Sequence, residues 1–298
     1  MLPAWVDASV LRDAARDAAK TAGVLRLAFA SGSRQGGGQS ASGVGSSLDF
    51  KDHRHYVPGD DPRAINWQAF ARTESYVLKL FEREVTPAVD LAFDTSASMG
   101  ASPAKARRSL ELTAYFLESA RRASADVRCF FVGGTTPVRV EPGHFLAGAW
   151  PDPPESGKDD AGNPLPPRIA EIPWRSGSLR VLVSDLLFPA KDARAWLAPL
   201  RREGGRSALW MPAAREETHP DWSGPVEFEE CESGMRRRDV ADKGLIEAYR
   251  AAYARHFDLW RETANRAGIS AFRIPAEPAL VDVLKIEALP AAWVRFEG

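Results

Sequence analysis

The chain has 298 residues, which is enough for one large domain or two smaller ones and for a core that needs no disulfide or structural metal. Its 39 Lys and Arg residues nearly balance its 40 Asp and Glu residues, so the net charge of −1 does not favour nucleic acid or an anionic membrane as a partner. The two cysteines, Cys129 and Cys231, lie far apart in unlike sequence contexts, which favours core thiols over a zinc motif or a disulfide framework. No apolar run reaches the roughly 20 residues of a membrane-spanning helix, and the N-terminus lacks the apolar segment of a signal peptide. We therefore predict a cytoplasmic protein without membrane insertion.

The first third of the chain is polar and only weakly periodic. A Gly/Ser tract over residues 31–47 cannot bury apolar surface and predicts a flexible loop. Around it, the pattern predicts a helix over residues 7–20 and strands over 24–30 and 76–82. Pro87 marks a break before a different pattern begins. We therefore expect a small, β-containing N-terminal module over residues 1–86.

From Val89 onwards, short apolar strands alternate with amphipathic helices, which is typical of a parallel α/β sheet. The predicted strands cover residues 89–93, 127–132, 137–140, 179–183, 207–211 and 269–274. The predicted helices begin after Ser102-Pro103, at residue 191 and at residue 243, and residues 142–178 read as an irregular connection. This organisation predicts a doubly wound, mostly parallel sheet over residues 87–298.

A polar turn follows the first of these strands directly. It contains Asp94, Ser96 and Ser98, whose alternation allows the three side-chain oxygens to face one point. One carboxylate and two hydroxyls are hard ligands that suit Mg²⁺, or Mn²⁺, and leave the ion with excess positive charge. An acidic side chain from another molecule could then complete the coordination. The alternative is an ordinary turn whose serines cap the next helix.

A second acid, Asp185, follows another short apolar strand in the same way. Ligands of open parallel sheets bind beyond the carboxyl ends of the strands, at the point where the strand order reverses. If the two strands are neighbours there, Asp94 and Asp185 face one crevice. The sequence thus predicts a metal site formed by Asp94, Ser96, Ser98 and Asp185, with an N-cap role for Asp185 as the alternative.

These four residues resemble the metal-ion-dependent adhesion site of the von Willebrand factor A-like domain, which implies a doubly wound sheet with magnesium at its top. An upstream segment resembles the signature of a bacterial family, domain-of-unknown-function family fifty-eight. The signature residues are Phe50, Arg54, Tyr56, Pro58-Gly59-Asp60-Asp61-Pro62-Arg63, Ile65, Trp67 and Ala71-Arg72, and Glu232-Ser233-Gly234 fits the same family further on.

Members of that family are similar to von Willebrand A proteins and are typically encoded beside MoxR-type AAA+ ATPases. The resemblance therefore implies a non-enzymatic adaptor that binds a MoxR-type ATPase or its client in a chaperone-like or assembly role. Three departures are visible. Asn66 replaces an acidic residue, the sequence shows none of the N-terminal membrane helices that many members carry, and residues 142–178 contain no threonine for the third loop of the adhesion site. The candidate substitutes are Ser156, Ser176, Ser178, Thr135 and Thr136.

Two other functions remain open. The acidic crevice could support metal-assisted hydrolysis, or the chain could be a scaffold whose vestigial site binds without metal. Within the signature, Asp52, His53, His55, Asp60 and Asp61 could form a metal or hydrolase cluster, but the histidine spacing is not that of a metal site. We expect instead a structural network in which Arg63 and Arg72 pair with these carboxylates beneath Trp67.

Overall fold

The computed structural model describes residues 8–21, 24–25, 48–83, 86–155, 157–160, 164–189, 192–201, 205–288, 290–291 and 293–295. The chain divides into two compact units. The smaller unit comprises residues 29–86, and the larger comprises residues 1–28 together with 87–298. The predicted Gly/Ser loop over residues 31–47 lies outside the described residues.

The larger unit contains a six-stranded, mostly parallel sheet, as the alternating sequence pattern predicts. In chain order the strands of the protein are β1 (Val24–Leu25), β2 (Leu48–His55), β3 (Val77–Arg83), β4 (Ala88–Asp94), β5 (Asp126–Val132), β6 (Val138–Val140), β7 (Leu179–Val183), β8 (Ser207–Ala213), β9 (Gly224–Glu229), β10 (Arg236–Ala241), β11 (Ser270–Pro275) and β12 (Val294–Arg295). The sheet order is β11-β8-β7-β4-β5-β6, with β6 antiparallel to β5 and the other pairs parallel. Strands β1 and β12 form a separate antiparallel pair.

The helices of the described chain vary widely in length. They are α1 (Ala8–Thr21), α2 (Trp67–Thr73), α3 (Pro103–Arg122), α4 (Pro142–Ala147), α5 (Ala193–Leu197), α6 (Arg215–Thr218), α7 (Lys243–Arg266) and α8 (Leu280–Val283). Shorter 3₁₀ turns cover Pro62–Ala64, Ala97–Gly100, Ile169–Glu171 and Ala198–Arg201, and a π-turn covers Leu284–Ala288. Among the described residues, no helix combines the length and the hydropathy that a transmembrane span needs.

Two hydrophobic cores lie on opposite faces of the sheet because strand side chains alternate in direction. One core joins Leu91 and Val181 to residues of α1, α3 and α8, and the other joins Ala92 and Leu182 to residues of α5 and α7. Helix α1, which the sequence pattern placed with an N-terminal module ending at residue 86, packs along α3 in the larger unit. Its buried alanines allow this close approach.

The position of the candidate site follows from the sheet order. Strand β4 lies between β7 and β5. From β4 the chain first adds β5 and β6 on one side of the sheet, and then adds β7, β8 and β11 on the other side. The carboxyl ends of β4 and β7 therefore flank the point where the strand order reverses, which is where such sheets bind ligands. Asp94 ends β4, and Asp185 lies two residues beyond β7. We call the surface formed by these strand ends the rim.

Strand β8 continues past Pro212, where the sequence pattern predicted that it ends. The reason is that β7 pairs with β8 only as far as Trp210, whereas β11 accompanies β8 to Ala213. The irregular connection predicted over residues 142–178 contains α4 and one 3₁₀ turn.

The smaller unit is built on the antiparallel pair β2 and β3. Between them, Asp61 accepts a hydrogen bond from the backbone of Arg63 and starts a 3₁₀ turn, and Asn66 caps α2 by accepting from Ala69. Asn is as good an N-cap as Asp, so the departure at residue 66 preserves this structural role.

Candidate metal centre

Asp94 lies fully buried at the end of β4. Its Oδ2 accepts a hydrogen bond of 2.5 Å from the hydroxyl of Ser184, and its Oδ1 accepts one of 2.9 Å from the backbone N–H of Ser96. Burial, followed by repulsion from Asp185, raises the pKa of Asp94 to about 7, although these hydrogen bonds oppose the shift. The carboxyl group is thus held in one orientation at the rim.

The two serines lie on the turn that follows β4. The 3₁₀ turn Ala97–Gly100 places the Oγ atoms of Ser96 and Ser98 3.3 Å apart. The hydroxyl of Ser98 also donates to Oδ1 of Asp185 over 3.3 Å. The four residues predicted from sequence are therefore connected through hydrogen bonds within one cluster.

Asp185 is held by the loop that follows β7. Its Oδ1 accepts the backbone N–H of Leu187 at 3.1 Å, and its own N–H points at the sulfur of Met99 at 3.2 Å. Leu186 has a φ of 55°, a left-handed conformation that is uncommon for a residue other than glycine. His256 contacts the carbonyl of Leu186 at 2.7 Å. The loop thus orients Asp185 towards the serines. Asp185 is not the N-cap that the alternative interpretation predicted, because the next helix is α5, which is capped by Asp192.

Sequence reasoning missed a buried lysine at this site. Lys105 lies in the first turn of α3, where a cation is disfavoured by the helix dipole. Its Nζ donates to Oδ2 of Asp185 at 2.8 Å and also pairs with Glu217. Burial by itself would lower the pKa of Lys105, but the two carboxylates outweigh burial and raise it. A lysine at this unfavourable helix position was the sequence signal that could have indicated a nearby acidic partner.

Two acids that the sequence did not assign also reach the cluster. Glu217 lies on α6, shortly after the carboxyl end of β8, so the reasoning that found Asp185 could have found it. Glu232 lies in the turn between β9 and β10, and its Oε1 accepts the backbone N–H of Ser98 at 2.9 Å. The contact of Glu232 joins segments far apart in sequence. The family motif Glu232-Ser233-Gly234 was the available signal, and no role in the site was assigned to it from sequence.

The chemistry of the cluster fits a hard divalent cation. The candidate ligands Asp94, Ser96, Ser98 and Asp185 offer oxygen atoms only, as Mg²⁺ prefers. In the described part of the chain, the hydrogen bonds above join four carboxyl groups and the one ammonium group of Lys105. Carboxylates outnumber this ammonium even when Asp94 is protonated. The residues therefore favour a bound cation and would supply it with hydroxyl and carboxylate ligands.

Two of the proposed substitutes for the third loop, Ser178 and Thr135, form their hydrogen bonds with groups outside the cluster. Ser178 precedes β7, at the opposite end of the sheet, and its hydroxyl donates to Asp90 and to the carbonyl of Arg175. Ser176 lies beside it in the chain, before β7. The hydroxyl of Thr135 donates to the carbonyl of Glu155. Thr136 follows in the same turn, and Ser156 lies outside the described residues.

The signature segment forms a structural network with a different partner from the one predicted. Asp60 pairs with Arg54 at 2.8 Å and accepts the backbone N–H of Val57 at 2.9 Å. The hydrogen bond from Arg54, followed by that from Val57, lowers the pKa of Asp60. Trp67 is 58% exposed, and it contacts Phe70 and Tyr76 edge-on.

The alternative metal or hydrolase cluster in this segment gains no support. The side chains of Asp52 and His53 lie outside the described part of the structure, so their predicted roles remain predictions. Among the side chains that are described, no group of three or more His, Cys, Asp or Glu residues is arranged to hold a metal.

The buried thiol of Cys129 on β5 is unsuited to nucleophilic chemistry, since burial raises its pKa to about 12.

Comparison with known proteins identifies the family. The family model described as "Protein of unknown function DUF58" matches residues 52–259, which is more than half of the chain. The chain belongs to this family. The DUF58 match includes the signature segment from Arg54 onwards, the rim and the β9–β10 hairpin. The family resemblance stated from sequence is thereby confirmed.

Two further comparisons add little to the DUF58 assignment. A search of curated proteins gives no significant match. A solved structure described as "conserved hypothetical protein BatB from Bacteroides thetaiotaomicron" is 12% identical to this chain, with a TM-score of 0.34. The match covers 69% of this chain and 98% of that one.

Proposed function

We propose that this DUF58 protein is a non-enzymatic adaptor with a von Willebrand factor A-like larger unit. In this proposal, Asp94, Ser96, Ser98 and Asp185 hold Mg²⁺ or Mn²⁺, and an acidic side chain of a partner protein docks on that ion. The observation that carries the proposal is the convergence of these four residues at the rim, although Ser98 and Asp185 are 87 residues apart. The sheet order and the excess of carboxylates over ammonium support it.

The partner and the cellular setting rest on family resemblance. We assign the partner as a MoxR-type AAA+ ATPase or its client, and the role as a cytoplasmic, chaperone-like or assembly function. Binding is favoured over metal-assisted hydrolysis because a general base must accept a proton. Lys105, whose pKa is raised, stays protonated at neutral pH, and both oxygens of Asp185 already accept hydrogen bonds. The raised pKa of Asp94 would suit a general base, but this side chain is fully buried and its two oxygens accept hydrogen bonds from Ser184 and Ser96.

Titration calorimetry with Mg²⁺ and Mn²⁺ tests the metal site. We expect binding by the wild-type protein and its loss in Asp94→Ala, with circular dichroism showing that the variant is folded. Asp126→Ala is the matched control, because Asp126 is exposed and starts β5 at the end opposite the rim. Equal heats of metal binding in wild type and Asp94→Ala would contradict the proposal, as would turnover of simple phosphoesters with Mn²⁺.

A metal-independent scaffold is the second candidate, and Lys105 is the observation that favours it. The ammonium group already neutralises one carboxylate of the rim, so the chain supplies a cation of its own. The two functions differ in one measurement. A complex with the AAA+ partner that dissociates in EDTA supports the metal-dependent adaptor, whereas one that survives EDTA supports the scaffold.

A further inference from the structure

One carboxylate at the rim comes from a hairpin that takes no part in the main sheet. Glu232 lies in the turn between β9 and β10, and its Oε1 accepts the backbone N–H of Ser98 at 2.9 Å. Ser98 is one of the proposed metal ligands. The contact therefore brings an acidic side chain of this chain next to the ligands on which, in the proposed function, an acidic side chain of a partner docks.

The turn of the hairpin is built to present Glu232. Gly234 has a φ of 72°, and its N–H donates to the carbonyl of Glu230 at 2.8 Å. The carboxylate of Glu230 accepts the hydroxyl of Ser233, so it is engaged within the turn itself. Of the two glutamates in this turn, Glu232 is the one whose carboxylate reaches out of the hairpin to the rim.

The hairpin packs against α7 through an aromatic contact. Strands β9 and β10 pair only with each other among the described strands, and an isolated two-stranded ribbon is marginally stable. The ring of Trp222 packs against Phe228 and against Tyr249 of α7, with both centroid distances 5.1 Å. At the tip, Met235 is 70% exposed. Separation of the tip from the rim therefore breaks few buried contacts.

We propose that Glu232 is an internal ligand of the rim, which occupies the docking position until a partner displaces it. This inference rests on the proposed function, because it assigns the same docking position to the chain's own hairpin. A side chain tethered in this way has an effective concentration on the order of millimolar. An acidic segment of a partner must compete with that concentration, so loss of Glu232 raises the apparent affinity for external acidic ligands.

Amide hydrogen exchange at Ser98 tests the contact directly and needs no metal. We expect exchange of the Ser98 amide to accelerate about tenfold or more in Glu232→Ala, since this N–H loses its acceptor. The control is Glu229→Ala, which removes a carboxylate of the same hairpin whose ion pair with Arg236 is exposed. Unchanged exchange at Ser98 in Glu232→Ala would overturn the inference.

Binding of a peptide tests the competition. The probe is a synthetic peptide of residues 229–236 with Ser in place of Cys231, added with Mg²⁺ while the amide shifts of Ser96 and Ser98 are followed. We expect binding to Glu232→Ala that is about tenfold tighter than to wild type or Glu229→Ala, and none for the same peptide with Gln in place of Glu232. Equal affinity for all three proteins would overturn the inference. If the wild-type protein does not bind Mg²⁺, the proposed function is contradicted. The exchange rate of the Ser98 amide in Glu232→Ala then decides separately whether Glu232 occupies the rim.

Discussion

Lys105 determines the charge balance of the rim. Its side chain is fully buried, and the ammonium group pairs with Asp185 and Glu217. A buried ion pair gives little net stabilisation compared with apolar residues, but removal of one partner leaves the other charged and without compensation. The lysine is therefore needed to keep the carboxylates of the rim together when no divalent cation is bound.

Replacement of this lysine gives the first prediction. We expect Lys105→Met to lower the free energy of unfolding by about 3–5 kcal/mol in metal-free buffer, because Asp185 and Glu217 lose their counter-charge. Added Mg²⁺ restores part of this loss, since a variant without the ammonium repels the ion less. Urea unfolding with and without Mg²⁺ measures both effects.

The control for this prediction lies on the same helix turn. Arg107 is exposed, so Arg107→Met should change the free energy of unfolding by no more than about 0.5 kcal/mol. If Lys105→Met is as stable as Arg107→Met without metal, the role assigned to the ammonium group is wrong.

The strands of the sheet are joined at the end opposite the rim by a second buried carboxylate. Asp90 of β4 accepts hydrogen bonds from Arg128 of β5 and from Arg175 and Ser178, which precede β7. Burial alone would raise the pKa of Asp90, but the hydrogen bonds from Arg128 and Arg175 outweigh it, and the pKa is lowered. One side chain thus connects three neighbouring strands.

This network gives a pH-dependent prediction for the sheet. A lowered pKa in the folded protein contributes stability above the unfolded value of 3.8, and that contribution disappears as the pH falls through the folded value. At pH 7 we expect Asp90→Asn to lower the free energy of unfolding by about 3–5 kcal/mol. The difference from wild type should shrink below pH 4, as measured by urea unfolding across a pH series.

Asp126 offers the comparison for Asp90. Its side chain is 67% exposed and pairs with the same Arg175, so Asp126→Asn should cost at most about 1 kcal/mol. A loss at Asp90 that is no larger than this, or that stays constant below pH 4, would contradict the account of the network.

At the scale of the whole molecule, the features that the sequence predicted are those with a local pattern. Short apolar runs ending in Asp94 and Asp185 predicted the parallel strands and the acids at their ends, and Ser102-Pro103 predicted the start of α3. Strand β2 was not predicted, since its sequence LDFKDHRH is mostly polar and it becomes a strand by pairing with β3. The β-propensity of single residues predicts a strand poorly where pairing with a neighbouring strand decides the structure.

The same distinction explains what was missed at the rim. Glu232 and Lys105 reach Ser98 and Asp185 through the arrangement of a hairpin and a helix around the sheet. Neither residue directly follows a predicted strand, which is the pattern that identified Asp94, Ser98 and Asp185, and the partners are 134 and 80 residues apart. Contacts made by elements outside the strand ends thus lie beyond periodicity and motif spacing.

The division into two units gives the last prediction, which concerns the autonomy of the larger one. Both hydrophobic cores consist of residues outside 29–86, and β1 pairs with β12 at the other end of the chain. A unit with its own core can fold alone. We expect replacement of residues 29–86 by about eight Gly and Ser residues to leave cooperative unfolding and the Mg²⁺ affinity of the rim unchanged. The urea m-value should fall in proportion to the surface removed. A broad, non-cooperative transition in this variant would show instead that the larger unit requires the inserted residues for its structure.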